Sequence, residues 1–244
     1  MNRKVFIAGA SGAIGRPLCR LLVADRWTVI GTTRSQDKAA MLRAIGVEPV
    51  IVDVFDAGSL LDSVRRAQPQ IVIHQLTDLP AVLEPALMAE ATVNNARLRG
   101  VGTRNLVAAA VAAGAKRLVA QSLAFAYAPG PLPYREDAPL NLDDPVSGTT
   151  ARGVASLEQQ LLAAPLEGIV LRYGRLYGPG TWFDRPHGAA PLHVDAAADA
   201  ARRAMTRGSA GVYNIAEDDG TVSIAKAAAA LGWDPAFRLD EGRN

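Results

Sequence analysis

The residues best suited to binding a ligand are three glycines spaced three apart near the start of the chain. Gly9, Gly12 and Gly15 follow the apolar run from Lys4 to Ala8 and precede a segment whose leucines recur at helical spacing. In a strand–turn–helix unit, such glycines allow a tight turn, close approach of the backbone to a pyrophosphate and close helix packing. The helix N-terminus adds free N–H groups and the positive end of its dipole. The spacing therefore predicts a dinucleotide-binding loop rather than a plain structural turn.

The end of the second apolar run indicates which dinucleotide is bound. A carboxylate at this position accepts hydrogen bonds from the ribose hydroxyls and repels a 2′-phosphate. Thr33 occupies the position here, followed by Arg34 and Ser35. A guanidinium pairs with phosphate through two parallel hydrogen bonds and stacks beside an aromatic ring. Loss of the acid together with gain of a cation favours NADP over NAD. The alternative is that Arg34 is a solvated cation at a strand end.

Apolar runs of strand length alternate with segments of helical periodicity along most of the chain. This alternation predicts an α/β fold, a Rossmann-type doubly wound parallel sheet with a small, shortened C-terminal cap. Residues 1–175 are expected to form the dinucleotide-binding domain, and residues 176–244 a small substrate or cap region interleaved with it. The expected strands are 4–8, 28–32, 49–52, 70–74, 117–121 and 168–172, and the expected helices begin at 13 and cover 37–44, 57–66, 94–113 and 149–163.

Further segments, in order along the chain, resemble the extended branch of the short-chain dehydrogenase/reductase superfamily, also known as the NAD-dependent epimerase/dehydratase family. The glycine spacing is the first of them. The others are His74-Gln75-Leu76-Thr77, Arg117-Leu118-Val119-Ala120-Gln121-Ser122, Arg172 followed by Tyr177-Gly178-Pro179-Gly180, and His193-Val194-Asp195. The resemblance covers residues 5 to 231, nearly the whole chain, and it implies the fold predicted above.

The glycine loop and the resemblance together indicate the residues that hold the cofactor. The resemblance implies that Asp53 lies against the adenine and that Leu76 and Thr77 lie in the loop under the cofactor. The full predicted set is Gly9, Ser11, Gly12, Ala13, Ile14, Gly15, Thr33, Arg34, Ser35, Asp53, Val54, Leu76, Thr77 and Gln121.

The catalytic pair that the resemblance implies is missing. In the family a tyrosine, assisted by a lysine four residues later, exchanges a proton with the substrate oxygen. Those positions fall on Thr150 and Val154, and the chain contains no Tyr-x-x-x-Lys. Tyr173, which follows the sixth strand, is the phenol expected to replace it, with a packing role as the alternative. Ser122 is the candidate catalytic hydroxyl, although its position favours a serine beside the cofactor or at the strand end.

Three departures from the family pattern bear on the substrate. Only residues 181–192 separate the Tyr-Gly-Pro-Gly turn from the His-Val-Asp segment, which predicts a small cap and argues against a large substrate. Arg175 is an added cation, predicted either to bind an anionic substrate or to pair with Asp184. Arg99 stands where the family has an asparagine, on a helix face that is either exposed or close to the site.

Charge and composition exclude several classes of function. The net charge of the 244 residues is +2 and no basic run is interleaved with aromatics, so nucleic-acid binding is not expected. The longest apolar run, 106–115, is too short to cross a membrane. Three scattered histidines and the single Cys19 give no metal-binding spacing and no internal disulfide, as in a reducing cytoplasm. The expected partner is a small-molecule substrate, and a homodimer is also considered.

These observations predict an NADP-dependent oxidoreductase, or an epimerase/dehydratase-like enzyme, acting on a small carbonyl or hydroxyl substrate. The competing interpretation is a catalytically silent NADP-binding redox sensor or regulatory module. The missing tyrosine and lysine favour the sensor. The intact loop on the nicotinamide side favours the enzyme.

Overall fold

Strands and helices alternate through residues 3–239, which are the residues that this computed structural model describes. The strands are β1 Lys4–Ala8, β2 Thr28–Thr33, β3 Glu48–Ile51, β4 Ile71–His74, β5 Arg117–Leu123, β6 Glu167–Tyr173, β7 Arg175–Tyr177, β8 Pro191–His193 and β9 Gly211–Ile215. The helices are α1 Gly15–Ala24, α2 Gln36–Ala44, α3 Ala57–Ala67, α4 Pro85–Arg97, α5 Thr103–Ala112, α6 Gly148–Leu162, α7 Val194–Ala204 and α8 Ala225–Leu231.

Seven parallel strands form the main sheet in the order β3-β2-β1-β4-β5-β6-β9. The order reverses direction between β1 and β4, which is the switch point of a doubly wound sheet. The register sets Ala8 beside His74 and His74 beside Ala120, so these strands end at one edge of the sheet. The predicted α/β class is confirmed, and the loops predicted to bind the cofactor leave from this edge.

Each face of the sheet is covered by its own apolar layer. On one face, Leu18 and Leu22 of α1 pack with alanines of α7 against the sheet. On the other face, Leu60 of α3, Leu106 of α5 and Leu157 of α6 pack against the opposite side chains of the same strands. Each fully buried leucine contributes about 1.5–3 kcal/mol to folding. These layers hold the helices rigidly against the edge where the strands end.

One long helix expected over residues 94–113 is divided into three parts. The helix α4 begins earlier, at Pro85, because proline is well tolerated in a first helical turn. It runs into a π-helical turn, Leu98–Gly102, which continues directly into α5. Arg99 lies within that π-helical turn, between α4 and α5.

The C-terminal part of the chain contributes to the main sheet as well as to a small addition. β9 pairs with β6, and α7 packs beside α1. β7 and β8 form a separate two-stranded parallel ladder that begins directly after β6. The segment between β7 and β8 therefore lies beyond the carboxyl end of β6, beside the predicted cofactor loops.

Candidate functional site

The loop between β1 and α1 has a backbone that only glycine fits at two positions. Gly9 has φ +92°, and a Cβ there would lie 2.5 Å from the carbonyl oxygen of Gln75. A Cβ at Gly15 would overlap the carbonyl oxygen of Gly9. Both glycines are therefore required by the fold itself, since they let the helix start directly against the strand.

Gly12 differs from the other two glycines because the protein does not crowd it. A Cβ at Gly12 would meet only the Gly9 carbonyl oxygen, at an ordinary 3.4 Å, and the residue is exposed. The Gly12 amide donates to that same oxygen at 3.1 Å, which closes the turn. The space above Gly12 is thus open in the protein and has the position in which a strand–turn–helix unit holds a pyrophosphate. The residues present fit a dinucleotide.

The end of β2 presents one charged group to solvent. Thr33 is buried, and its hydroxyl accepts from the Ser35 amide at 3.2 Å. The Ser35 hydroxyl caps α2 by accepting from the Lys38 amide. Arg34 remains exposed and its Nη2 lies 3.1 Å from an oxygen of Asp78. The guanidinium is therefore fixed at the strand end by one nitrogen, with its remaining donors free.

Asp78 is itself held in place by a side chain of α4. The buried Asn95 of α4 accepts from the Asp78 amide at 3.0 Å and donates to the Asp78 carbonyl at 2.9 Å. This clamp ties the loop after β4 to the helix. It also fixes the carboxylate that positions Arg34.

The remaining predicted cofactor residues lie at the ends of β3, β4 and β5. Asp53 is exposed and accepts from the Phe55 amide at 2.9 Å, while Val54 is buried behind it. Gln121 of β5 donates to the Leu76 carbonyl at 3.0 Å, which joins the two strand ends, and Thr77 is exposed beside them. The structure thus brings the predicted cofactor residues to one edge of the sheet.

Tyr173 does not face an open site, contrary to the expectation that it supplies the acid. The side chain is 2% exposed, its hydroxyl donates to the Ala197 carbonyl at 3.2 Å, and it accepts from the Gln75 amide at 3.1 Å. Burial raises the pKa of this phenol well above its ordinary value. A proton held in this way is not available to a substrate, so the geometry favours the packing alternative for Tyr173.

Ser122 is also buried and does not face an open site. It is 2% exposed, and its hydroxyl donates to Glu158 Oε1 at 2.7 Å. Both oxygens of Glu158 also accept from the Arg172 guanidinium, at 2.9 and 2.7 Å. This contact belongs to a buried ionic cluster that joins β5, α6 and β6. The geometry therefore does not support a catalytic hydroxyl at this position.

The positions that correspond to the family's tyrosine and lysine carry no side chain that could take over proton transfer. Val154 is fully buried among Ala126 and Ala151, and Thr150 is partly buried on the same helix. The chain's five tyrosines all lie in the described part, and every phenol oxygen has a protein partner. None of the chain's lysines lies on α6.

Arg99 is a cation whose surroundings were not foreseen. Its Cδ lies 3.4 Å from where a Cβ at Gly153 would be, so the side chain packs against α6 at that glycine. Burial lowers the pKa of Arg99 to about 10, which still leaves it charged at neutral pH. Within residues 3–239, no acidic side chain forms an ion pair with it. A partly buried guanidinium without a counter-ion is a candidate ligand contact.

Two contacts join the segment after β7 to the glycine loop and to the loop after β4. Trp182 Nε1 donates to the Pro80 carbonyl at 3.0 Å. Arg16 of α1 reaches Gly180, and the Arg16 Nε is buried without a partner. Their partners lie far away in sequence, so spacing along the chain gave no signal for either contact.

The described residues contain neither a helix able to span a membrane nor a cluster of three or more potential metal ligands.

Comparison with known proteins identifies a relative of similar sequence. A 3-diazoavenalumate denitrifying reductase from a Streptomyces species is 43% identical over 228 residues, which are 92% of this chain and 71% of that protein. The match spans most of this chain.

Solved structures with lower identity have the same fold. The UDP-glucose 4-epimerase of Thermotoga maritima, determined with UDP-glucose, superimposes with a TM-score of 0.78 at 17% identity, covering 98% of this chain and 96% of that one. The dTDP-glucose 4,6-dehydratase of Streptomyces venezuelae, determined with NAD bound, gives 0.77 at 17% identity, covering 97% and 93%. The family model for the NAD dependent epimerase/dehydratase family matches residues 5–206. The chain therefore belongs to the NAD dependent epimerase/dehydratase family.

Proposed function

We propose that this protein is an NADPH-dependent reductase whose substrate accepts hydride without a proton from the enzyme. The observation that carries the proposal is the contrast within the site. The glycine turn leaves open space at Gly12, where a dinucleotide would bind. Tyr173 and Ser122, in contrast, are buried and hydrogen-bonded to other protein groups. Reduction of a carbonyl requires a proton at the oxygen, and the described residues provide no phenol–lysine pair to deliver it.

Arg99 supports this interpretation because it can hold a ligand but cannot titrate near neutral pH. Its side chain packs against α6 at Gly153, the residue before the position at which the family has its lysine. A guanidinium offers five donors and stays charged, since burial lowers its pKa only to about 10. We assign Arg99 to positioning the nicotinamide ribose or the substrate, with no role in proton transfer.

The name of the relative suggests a substrate class that meets this requirement. That protein is called a denitrifying reductase of a diazo compound. For an aryl diazonium ion, the carbon–nitrogen bond breaks, its electron pair leaves with N₂, and hydride supplies the pair for the new carbon–hydrogen bond. The bound cofactor supplies that hydride. The balance is one NADPH and one diazonium ion giving one arene, one N₂ and one NADP⁺, with no proton consumed.

The stoichiometry of turnover tests this function. With 4-carboxybenzenediazonium and NADPH, we expect one N₂ per NADPH oxidised, measured by mass spectrometry and absorbance, and no proton uptake in a lightly buffered solution. The variants Tyr173→Phe and Ser122→Ala are expected to retain the rate within about tenfold, since neither side chain faces the site. A Gly12→Val variant supplies the background rate of the uncatalysed reaction.

Three outcomes would contradict the proposal in different ways. Turnover of ketones or aldehydes with uptake of one proton would show that the site does deliver a proton. A more than hundredfold loss of rate in Tyr173→Phe would restore that phenol as the acid. Tight binding of NADPH with no oxidation, on diazonium and carbonyl substrates alike, would establish the redox-sensor alternative.

The preference for NADPH rests on Arg34. Its guanidinium lies at the end of β2, is largely exposed, and is held by Asp78 through one nitrogen, which leaves donors for a 2′-phosphate. We expect NADPH to bind more tightly than NADH, and Arg34→Ala to weaken NADPH by about 10–100-fold, as loss of a charge-assisted contact does, with NADH unchanged. Isothermal titration of both cofactors measures this.

Two variants sharpen the test of Arg34. Arg43→Ala removes an exposed cation from the last turn of α2 and should leave both affinities unchanged. Asp78→Asn removes the counter-ion of Arg34 and should leave NADPH binding equal or tighter. Equal affinity of the native protein for NADPH and NADH would overturn the preference.

We also propose a setting and an organisation for the enzyme. A cytoplasmic location is supported by the free, buried Cys19, and a homodimer by Leu87 and Val93, which α4 exposes to solvent. Residues 1–175 then form the dinucleotide-binding domain, and residues 176–244 contribute the small region that contacts the substrate. Sedimentation of the purified protein tests the dimer.

A further inference from the structure

Four side chains form a cationic and aromatic cluster that the proposed reaction has not used. Phe125 follows β5, Arg175 opens β7, and Phe183 and His187 lie between β7 and β8. The Arg175 Cζ lies 4.5 Å from the centroid of the Phe125 ring. The rings of Phe183 and His187 stack with centroids 3.6 Å apart and planes 24° apart. We call these four residues the aryl cluster; it lies beyond the carboxyl ends of β5 and β6.

Arg175 brings an uncompensated charge to this cluster. The pairing with Asp184 considered from the sequence does not form, and no other acidic group in residues 3–239 forms an ion pair with it. Stacking on Phe125 occupies the face of the guanidinium and leaves the N–H groups in its plane free. Those donors have the fork geometry that matches the two oxygens of a carboxylate.

The aromatic members offer flat surface and one unmet hydrogen-bonding atom. Phe125 is 41% exposed, so part of its ring surface is open to a ligand. The Nδ1 of His187 is buried and has no partner. Burial and the nearby charge of Arg175 lower the pKa of His187, which favours the neutral ring. A neutral imidazole nitrogen can bond to a hydroxyl group or a carboxylic acid derivative.

We propose that the aryl cluster binds a planar aromatic carboxylate, with the ring against Phe125 and the carboxylate on Arg175. This rests on the proposed function and names the class of its substrate. A ring and a carboxylate are the two features that the exposed phenyl face and the free guanidinium donors recognise together. Only residues 178–190 connect β7 to β8, and this segment is too short to form a long cap that encloses a large substrate.

Binding of an unreactive probe tests the cluster independently of turnover. We expect trans-cinnamate to bind the NADP⁺-loaded protein and also, more weakly, the protein without cofactor, measured by isothermal titration. Arg175→Met keeps the stem on the ring but removes the charge, and should weaken cinnamate by about tenfold or more while leaving cinnamide unchanged. Phe125→Leu should weaken the acid and the amide together, and Arg175→Lys should restore only part of the loss.

The controls separate this proposal from the reductase function. Arg185→Met removes another exposed arginine of the same segment and should leave cinnamate binding unchanged. Undiminished cinnamate binding in Arg175→Met, or equal binding of hexanoate and cinnamate by the native protein, would overturn the proposal. Release of N₂ without any cinnamate binding would overturn the aryl cluster alone. Cinnamate binding that follows the expected pattern, without NADPH oxidation, would overturn the reductase function alone.

Discussion

Gly12→Val is expected to abolish dinucleotide binding and to leave the protein folded. The protein leaves the space above Gly12 open, since a Cβ there meets only the Gly9 carbonyl oxygen, at 3.4 Å. The valine side chain would instead occupy the space where the backbone must approach a pyrophosphate. We expect the affinity for NADPH to fall by about 100-fold or more, which corresponds to roughly 3 kcal/mol. Isothermal titration measures the affinity and circular dichroism the fold.

Two other glycines separate a binding effect from a folding effect. Gly58→Val adds the same side chain on α3, where a Cβ meets only Asp56 Oδ1 at 3.6 Å, and should change neither binding nor fold. Gly15→Val should reduce the free energy of unfolding sharply, because a Cβ there overlaps the Gly9 carbonyl oxygen. Tight NADPH binding by a folded Gly12→Val variant would show that the glycine loop does not hold the cofactor.

The sheet and the glycine turn could be predicted because their causes are mostly local. The fold class follows from alternating apolar runs, and Gly15 is required because a Cβ there would overlap the Gly9 carbonyl oxygen of the same turn. The close approach of Gly9 to Gln75 could not be predicted in this way, because Gln75 follows a different strand. Arg34 could be singled out because it directly follows β2 in the sequence, and its role toward the cofactor stays a prediction.

The burial of the catalytic candidates could not be predicted, because their environment depends on distant residues. Tyr173 is held by Ala197 and Gln75, and Ser122 by Glu158, which is 36 residues away. No spacing rule reveals whether a hydroxyl at a strand end points into a site or into the core. The aryl cluster could not be predicted for the same reason, because its members come from three segments that are separate in sequence.

The second large effect concerns stability, and it lies in the buried contact between Glu158 and Arg172. Their side chains are only 8% and 5% exposed, and two hydrogen bonds of 2.9 and 2.7 Å join them. Burial disfavours the charge on Arg172, yet the hydrogen bonds and attraction of Glu158 leave its pKa above the ordinary value. Glu158→Ala is therefore expected to lower the free energy of unfolding by about 3–5 kcal/mol, because it leaves the arginine buried without its partner. Urea denaturation measures the change.

A second ion pair supplies the control for this prediction. Glu167→Ala removes a carboxylate that is 60% exposed, and we expect it to cost about 1 kcal/mol or less. The double variant Glu158→Leu with Arg172→Met should regain part of the stability, because neither charge is then left unpaired. Recovery stays incomplete, since Arg172 also donates to the Glu136 carbonyl and stacks over Tyr127. If Glu158→Ala lowered the free energy of unfolding by less than 1 kcal/mol, water would have to reach Arg172. The ionic cluster around Ser122 would then be accessible to solvent.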